Sequence, residues 1–213
     1  MTKVKICGLR RVEDINAVNS ALPDYIGFVF APSRRRLDER AAAMLKERLD
    51  RRIRAVGVFA DQEIGTISGL YRNGVIDMAQ LHGGEDAGYI AKLKGRCDCP
   101  VIKAVGIGDT LPPLPEGPEY LLFDTLSAER GGTGRVFDWS IIQDIAGRPY
   151  FLAGGLTPDN VSGAIKKLAP FCVDVSGGVE TGGIKDAGRI HEFVRTVRGR
   201  GSCVKSGAGK LGI

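Results

Sequence analysis

Two side chains that can exchange protons follow short apolar segments of this sequence. Cys7 directly follows Val4-Lys5-Ile6, and Asp124 directly follows Leu121-Leu122-Phe123. A thiolate and a carboxylic acid can divide the roles of general base and general acid in one reaction. A cysteine in such a position is more often a packing residue. An aspartate beside an apolar run needs a partner or a function, because burying a charge is unfavourable.

Glycine-rich turns follow two later apolar segments, at Gly154-Gly155 and at Ser176-Gly177-Gly178. Glycine lets backbone amides come close to a ligand, and a following helix N-terminus adds positive potential. Tight turns without a ligand are the alternative. In β/α barrels the loops after the last two strands commonly bind phosphate. We therefore predict a phosphate site whose residues are Gly154, Gly155, Ser176, Gly177 and Gly178.

A cluster of arginines, Arg34-Arg35-Arg36, follows the second apolar segment. A guanidinium group binds a carboxylate through two parallel hydrogen bonds, so this loop is a candidate for carboxylate recognition. An ordinary basic surface is the alternative, and at most one of the three arginines need be functional. His82 ends another apolar segment and is followed by Gly83-Gly84. We predict that it lies at the same site.

Eight strands that alternate with helices are needed to bring these side chains together. The predicted strands are Val4–Cys7, Tyr25–Phe30, Arg54–Phe59, Met78–Leu81, Val101–Val105, Tyr120–Phe123, Tyr150–Ala153 and Cys172–Val175. The predicted helices are Val12–Leu22, Glu39–Leu49, Glu63–Arg72, Ala87–Lys94, one near Trp139–Ile145, one capped by Thr157 with Pro158 at its first position, and Ala187–Arg198. A further loop carries Gly131-Gly132-Thr133-Gly134.

The segment Gly106–Glu119 breaks the alternation because it holds four prolines and three glycines, so no full helix is expected there. Continuous apolar strands are typical of a sheet covered on both faces. A doubly wound open sheet would usually carry a glycine fingerprint after its first strand, and Cys7-Gly8-Leu9-Arg10 is not one. We predict an α/β fold, a single (β/α)8 TIM barrel over residues 1–198. Residues 199–213 are predicted to be a basic, flexible tail.

Composition and charge exclude several classes of protein. An apolar fraction of 43% supports a real core. No apolar run approaches the roughly 20 residues of a membrane-spanning helix, and the N-terminus carries no signal-peptide pattern, so we expect a cytoplasmic protein. The net charge is +5, but aromatic residues do not interleave with the basic runs, which argues against nucleic-acid binding. The five cysteines and two histidines lack zinc-ligand spacing, so we expect no metal site.

Motifs along the whole chain resemble those of the phosphoribosylanthranilate isomerases, barrel enzymes of tryptophan biosynthesis. They run in the expected order from residue 3 to about residue 195. They are Lys5-Ile6-Cys7-Gly8, Gly27-Phe28-Val29-Phe30 with Ser33-Arg34-Arg35, Gln80-Leu81-His82-Gly83, Leu122-Phe123-Asp124, Gly132-Thr133-Gly134 with Phe137-Asp138-Trp139, Gly154-Gly155-Leu156-Thr157-Pro158-Asp159-Asn160-Val161 and Asp174-Val175-Ser176-Gly177-Gly178-Val179-Glu180. The second serine usual in this family is Gly177 here.

The resemblance implies an Amadori rearrangement of N-(5-phosphoribosyl)anthranilate to 1-(2-carboxyphenylamino)-1-deoxyribulose 5-phosphate. It assigns Cys7 as general base, Asp124 as general acid and Arg35 as the group that binds the anthranilate carboxylate. We also expect the site mouth to activate the Cys7 thiol. This chemistry needs no cofactor. The expected partner is a small phosphorylated substrate, and a monomer is expected rather than a homodimer.

Two other interpretations stay open at this point. One is a related phosphosugar isomerase of histidine-biosynthesis type, although such enzymes use paired aspartates where this chain has Cys7. The other is a protein without catalysis, either a barrel that binds phosphosugars or a basic module whose tail contacts nucleic acid.

Overall fold

The fold is a closed barrel of eight parallel strands. A computed structural model describes residues 1–125, 137–143, 145 and 147–199. The strands are β1 (Lys3–Cys7), β2 (Tyr25–Val29), β3 (Arg54–Phe59), β4 (Met78–Leu81), β5 (Val101–Ile107), β6 (Tyr120–Thr125), β7 (Tyr150–Leu152) and β8 (Cys172–Val175). The predicted (β/α)8 barrel is therefore confirmed. The loop 131–134, Cys203 and the tail from residue 200 lie outside the described residues.

Six α-helices cover the barrel in the part of the chain that the structure describes. They are α1 (Val12–Ala21), α2 (Glu39–Glu47), α3 (Ile64–Arg72), α4 (Ala87–Arg96), α5 (Val161–Leu168) and α6 (Ala187–Val197). The helix predicted near Trp139–Ile145 is a short 3₁₀ turn, Trp139–Ile142, among these residues. Asp38, Asp86 and Asp186 each accept a backbone hydrogen bond at the start of α2, α4 and α6. Such caps fix where each helix begins.

The start of α5 differs from the sequence prediction. We expected Thr157 as the cap and Pro158 as the first helical residue, but residues 158–160 form a turn and Asn160 is the N-cap. The Asn160 side chain accepts a hydrogen bond from the Thr157 amide and donates one to the Gly155 carbonyl, both at 2.9 Å. One side chain thus satisfies two backbone groups of the loop, and this favours the later start.

Residues 108–119, all of which are described, form no helix, as predicted. Arg148 holds this segment in place by donating to the carbonyls of Pro115 and Pro118 at 3.0 and 3.1 Å. Lys94 of α4 also donates to the Gly117 carbonyl. A loop anchored by side chains of its neighbours therefore covers the barrel where a helix would otherwise lie.

The register of β1 with its neighbours positions the site. Cys7 lies opposite Gly27 of β2, and Lys5 lies opposite Asp174 of β8. Because side chains alternate along a strand, Lys5 and Cys7 share the inward face. Below them the barrel interior is apolar, with Tyr25 and Phe151 at a ring-centroid distance of 5.5 Å. The barrel interior is thus apolar in its lower half and polar in its upper half.

A small antiparallel hairpin follows β8. Its strands are β9 (Glu180–Thr181) and β10 (Ile184–Lys185), and its turn residues Gly182 and Gly183 have φ of 60° and 78°. Two glycines with positive φ are typical of a two-residue hairpin turn. The hairpin places Glu180 and Lys185 beside the barrel mouth.

Candidate active site

The carboxyl ends of the strands bring most of the predicted site residues to one rim. Cys7 ends β1, His82 follows β4, Asp124 lies in the last two residues of β6, and the glycine-rich loops follow β7 and β8. Parallel strands of a closed barrel all present these ends on the same face. The site is therefore shared by residues far apart in the sequence.

Cys7 is closely enclosed, with 9% of its surface exposed. A Cβ atom at Gly27 would lie 2.6 Å from the Cys7 sulfur, so only glycine fits beside the thiol. Burial raises the pKa of Cys7, while the positive charges of Lys5 and Lys185 act against that rise. We expected the site to lower the pKa of the Cys7 thiol, and that expectation was wrong for the protein without substrate. Removal of water outweighs the nearby cations.

Asp124 and His82 form a second pair at the rim. Asp124 Oδ2 lies 3.7 Å from His82 Nε2, and Asp124 Oδ1 accepts a hydrogen bond from the Thr125 amide at 2.8 Å. Burial raises the pKa of Asp124, which the charge of His82 opposes. Burial lowers the pKa of His82. A carboxyl whose pKa is raised in this way holds its proton to higher pH than an exposed one, which suits a general acid.

The His82 ring is oriented from below by Gln80. Gln80 Nε2 lies 3.0 Å from His82 Nδ1. With the amide donating to Nδ1, the ring hydrogen is carried by Nε2, which faces Asp124.

Arg35 lies against the end of β1, next to Cys7. A Cβ atom at Gly8, whose φ is 83°, would come within 2.4 Å of the Arg35 Cδ atom. Arg36 is exposed, and its backbone forms an isolated bridge with Val29. Of the two, Arg35 is therefore the arginine that the structure places at the site.

Glu180 joins three cations at this edge of the site. Its carboxylate accepts hydrogen bonds from Arg35 at 2.7 and 2.9 Å, from Lys185 at 2.7 Å and from Arg34 at 3.1 Å. Burial alone would raise the pKa of Glu180, but the hydrogen bonds from Arg35 and Lys185 bring it down to about 2. Glu180 therefore stays ionised and fixes the direction of the Arg35 guanidinium.

The loops after β7 and β8 touch each other through their backbones. A Cβ atom at Gly178 would lie 1.9 Å from the Leu156 carbonyl oxygen, and one at Gly154 would lie 2.5 Å from Thr125 Oγ1. Gly154 and Gly155 have φ of 86° and 65°. Gly178 lets the loop after β8 approach Leu156 of the loop after β7, and Gly154 lets the loop after β7 approach Thr125 of β6. Both contacts are possible only because these two residues have no side chain. The Ser176 hydroxyl donates to the Cys7 carbonyl at 3.0 Å and so ties the second loop to β1.

Among the described residues, no three His, Cys, Asp or Glu side chains are grouped so that they could hold a metal ion. The same part of the chain contains no helix long and apolar enough to span a membrane.

One protein family matches nearly the whole chain. The sequence model of N-(5'phosphoribosyl)anthranilate (PRA) isomerase matches residues 4–196. The chain belongs to this family. An N-(5'-phosphoribosyl)anthranilate isomerase of Endomicrobium trichonymphae is 48% identical over 199 residues, which are 93% of this chain and 99% of the relative. The isomerase of Clostridium acetobutylicum is 42% identical over 205 residues, which are 93% of this chain and 98% of that protein.

Solved structures of the isomerase family share the fold. The phosphoribosyl anthranilate isomerase of Thermotoga maritima is 35% identical and superposes with a TM-score of 0.82 over 93% of this chain and 100% of that one. A further isomerase structure, in complex with reduced 1-(o-carboxyphenylamino)-1-deoxyribulose 5-phosphate, has a TM-score of 0.78 at 33% identity, with 93% and 100% of the two chains covered.

Family membership decides between the interpretations left open by the sequence. The protein is an isomerase of tryptophan biosynthesis, so neither a histidine-biosynthesis enzyme nor a barrel without catalysis is supported.

Sequence reasoning missed three polar residues that shape the site of this isomerase, namely Lys5, Glu180 and Lys185. Lys5 carried a usable signal, because a lysine inside an apolar strand and two residues before Cys7 must lie on the same face and needs a partner. The partner, Asp174, is found only in the folded barrel. Glu180 and Lys185 reach the rim through the hairpin, which the sequence analysis did not identify.

Proposed function

We propose that the chain rearranges N-(5'-phosphoribosyl)anthranilate with Asp124 as general acid and Cys7 as general base. The observation that carries the proposal is the placement of these two groups on β1 and β6 of one barrel rim, with Arg35 beside Cys7 and glycine-rich loops between them. The reaction moves hydrogen and electrons within one molecule. One carbon of the sugar is oxidised and its neighbour is reduced, so the atoms balance without an external oxidant.

Asp124 acts in the first step. Its carboxyl donates a proton to the ribose ring oxygen as the bond from that oxygen to C1 breaks. The lone pair of the anthranilate nitrogen then forms a double bond to C1, which gives a Schiff base. The raised pKa of Asp124 supports this role, since the carboxyl must hold its proton before the step.

Cys7 acts in the second step. Its thiolate takes the proton from C2, the C2 electrons form a double bond to C1, and the electrons of the carbon–nitrogen double bond return to nitrogen. The resulting enolamine takes up a proton at C1 and loses the hydroxyl proton at C2, which gives the ketone. The substrate carries positive charge at nitrogen when Cys7 acts, and this favours proton removal.

Arg35 and the two glycine-rich loops hold the ends of the substrate. We assign the anthranilate carboxylate to Arg35, and the phosphate to the backbone of Gly154, Gly155, Ser176, Gly177 and Gly178. We assign His82 to the sugar, since its Nε2 atom lies 3.7 Å from Asp124 Oδ2. The Ser176 hydroxyl is already bonded to the Cys7 carbonyl, so the backbone of Ser176 is the group assigned to phosphate.

A fluorescence assay that follows consumption of the substrate tests the proposal. Cys7→Ala and Asp124→Asn should each lower kcat by roughly 10²- to 10⁴-fold, the usual effect of removing a positioned base or acid. The matched controls are Cys97→Ala, at the C-cap of α4, and Asp109→Asn, at an exposed aspartate. Retention of near-parental kcat by either site variant would overturn the corresponding assignment.

The oligomeric state is proposed to be a monomer. One solved relative is described as monomers generated from the dimeric isomerase of Thermotoga maritima, so both forms exist for the fold. Light scattering of the purified full chain over a range of concentrations tests this, and a constant dimer mass would contradict it.

A further inference from the structure

A buried ion pair lies inside the barrel below the proposed base. Lys5 Nζ is 2.8 Å from Asp174 Oδ2, and the two side chains are 0% and 7% exposed. The other carboxylate oxygen, Asp174 Oδ1, is buried and has no hydrogen-bond partner among the described residues. Apolar residues fill the layer beneath. The pair therefore borders the apolar layer of the barrel interior.

A buried ion pair of this kind is a weak source of stability. Replacing a buried ion pair by apolar side chains is often neutral or stabilising, because two charges must be removed from water. Lys5 and Cys7 are two residues apart on β1, so both side chains point inward and the ammonium lies one level below the thiol. Of the three N–H donors of an ammonium group, Asp174 takes one. The Lys5 ammonium also interacts with the Cys7 side chain at the level above.

We propose that Lys5 is a positioning residue for the isomerase reaction, which supplies a fixed positive charge beneath the Cys7 thiolate, while Asp174 holds the ammonium in place. The inference rests on the proposed role of Cys7 as the base. It extends that role by naming the group that makes a thiolate possible in so enclosed a position. Burial opposes the thiolate most strongly, and Lys5 is the largest influence that favours it.

Other charged groups also lie near Cys7, but none of them favours the thiolate as strongly as Lys5 does. Lys185 and Arg35 approach from the hairpin and from the loop after β2, but both are bound to the carboxylate of Glu180. Asp174 approaches from β8 and acts against the thiolate. Burial lowers the pKa of Lys185. Burial alone would lower the pKa of Lys5, but the charges of Asp174 and Cys7 and the hydrogen bonds with both side chains together raise it, so Lys5 keeps its charge.

The test measures the Cys7 thiol directly. Purified full-length protein is alkylated with iodoacetamide at a series of pH values, and modification of the Cys7 peptide is followed by mass spectrometry. Lys5→Met should raise the thiol pKa by about one to three units, the usual effect of one close opposite charge. Alkylation near neutral pH should then be slower by about tenfold or more. Lys103→Met is the matched control, because Lys103 is also a buried lysine paired with a carboxylate, that of Glu85.

Kinetics separate a positioning role from a structural one. The active form has a thiolate and a protonated Asp124, although a thiol titrates at higher pH than a carboxyl. With the two pKa values in this order, the acid limb of the kcat/KM profile reports Asp124 and the alkaline limb reports the thiol. A higher thiol pKa lowers the fraction of the enzyme that is in this active form. In Lys5→Met the plateau of kcat/KM should therefore fall by the same factor by which the alkaline limb moves to higher pH. A lower plateau with an unmoved limb would show a structural role only and would overturn the inference.

A second variant covers the case in which Lys5→Met fails to fold. Lys5→Met/Asp174→Asn removes both charges and so leaves no unpaired carboxylate in the interior. Its thiol pKa should still be raised, because Lys5 influences Cys7 more strongly than Asp174 does. An unchanged thiol pKa in a folded variant overturns the inference. If Cys7→Ala keeps its activity, the proposed function fails instead, and the alkylation result still decides whether Lys5 favours the thiolate.

Discussion

Arg35 and Glu180 form a two-point ion pair at the rim of the barrel. The Arg35 Nε and Nη2 atoms lie 2.7 and 2.9 Å from the two carboxylate oxygens of Glu180. One edge of the guanidinium, formed by Nε and Nη2, is thereby held by Glu180. The ion pair also fixes the direction in which the other N–H groups of Arg35 point. Carboxylate recognition by Arg35 therefore depends on a residue from a different loop.

Removing the carboxylate of Glu180 should weaken substrate binding. In Glu180→Gln the Arg35 guanidinium loses two charge-assisted hydrogen bonds and is free to rotate. KM should rise by about tenfold, a change on the scale of one such hydrogen bond, while kcat changes much less. Steady-state kinetics measure this, with Glu192→Gln on the exposed face of α6 as the control. A fall in KM would mean that Glu180 competes with the substrate for Arg35, contrary to our interpretation.

The same carboxylate should make folding stability sensitive to acid. Because the pKa of Glu180 falls from 4.5 to about 2 in the folded state, ionised Glu180 stabilises the fold above pH 4.5, and this contribution is lost as the pH drops toward 2. The free energy of unfolding of the parent should exceed that of Glu180→Gln near neutral pH, and the difference should shrink over this window. Urea titrations at several pH values measure it. A difference independent of pH would contradict the assignment.

His82 should influence the acid rather than the base. The charge of His82 lowers the pKa of Asp124, so His82→Gln should raise that pKa further. The acid limb of the kcat/KM profile should then move to higher pH while the alkaline limb stays in place. His191→Gln, at an exposed position on α6, is the control. Movement of the acid limb to lower pH would show that His82 does not act on Asp124 in this way.

Contact between the two glycine-rich loops should make Gly178 intolerant of any side chain. In Gly178→Ala the new methyl group would meet the Leu156 carbonyl, so the loops must separate. We expect a loss of about 1–3 kcal/mol in unfolding free energy, together with weaker binding of inorganic phosphate as a competitive inhibitor. The matched control is Gly163→Ala within α5, where nothing lies near the added carbon. That change should stabilise the protein by about 0.5–1 kcal/mol. Equal stability of the two variants would contradict the argument.

The sequence was sufficient to predict the barrel and the rim because the strands and their last residues are local patterns. The positions of Cys7, Asp124 and Arg35 at this rim could be predicted in this way, since each follows an apolar segment that ends in a turn. The pKa of Cys7 could not, because it depends on how much water the folded barrel removes. The links from Lys5 to Asp174 and from Arg35 to Glu180 were equally hidden, since each joins residues more than a hundred positions apart.

Closure of the barrel between its first and eighth strands determines when the enzyme can first be active. β1 completes the barrel by pairing with β8, and the hydrogen bond from Ser176 to the Cys7 carbonyl forms across the same seam. The helix α6 then packs against α1. A nascent chain on the ribosome therefore carries Cys7 before β8 has been made, and it cannot enclose the thiol until then. Chains that end before β8 should hold a water-exposed thiol with ordinary acidity and should not turn over the substrate.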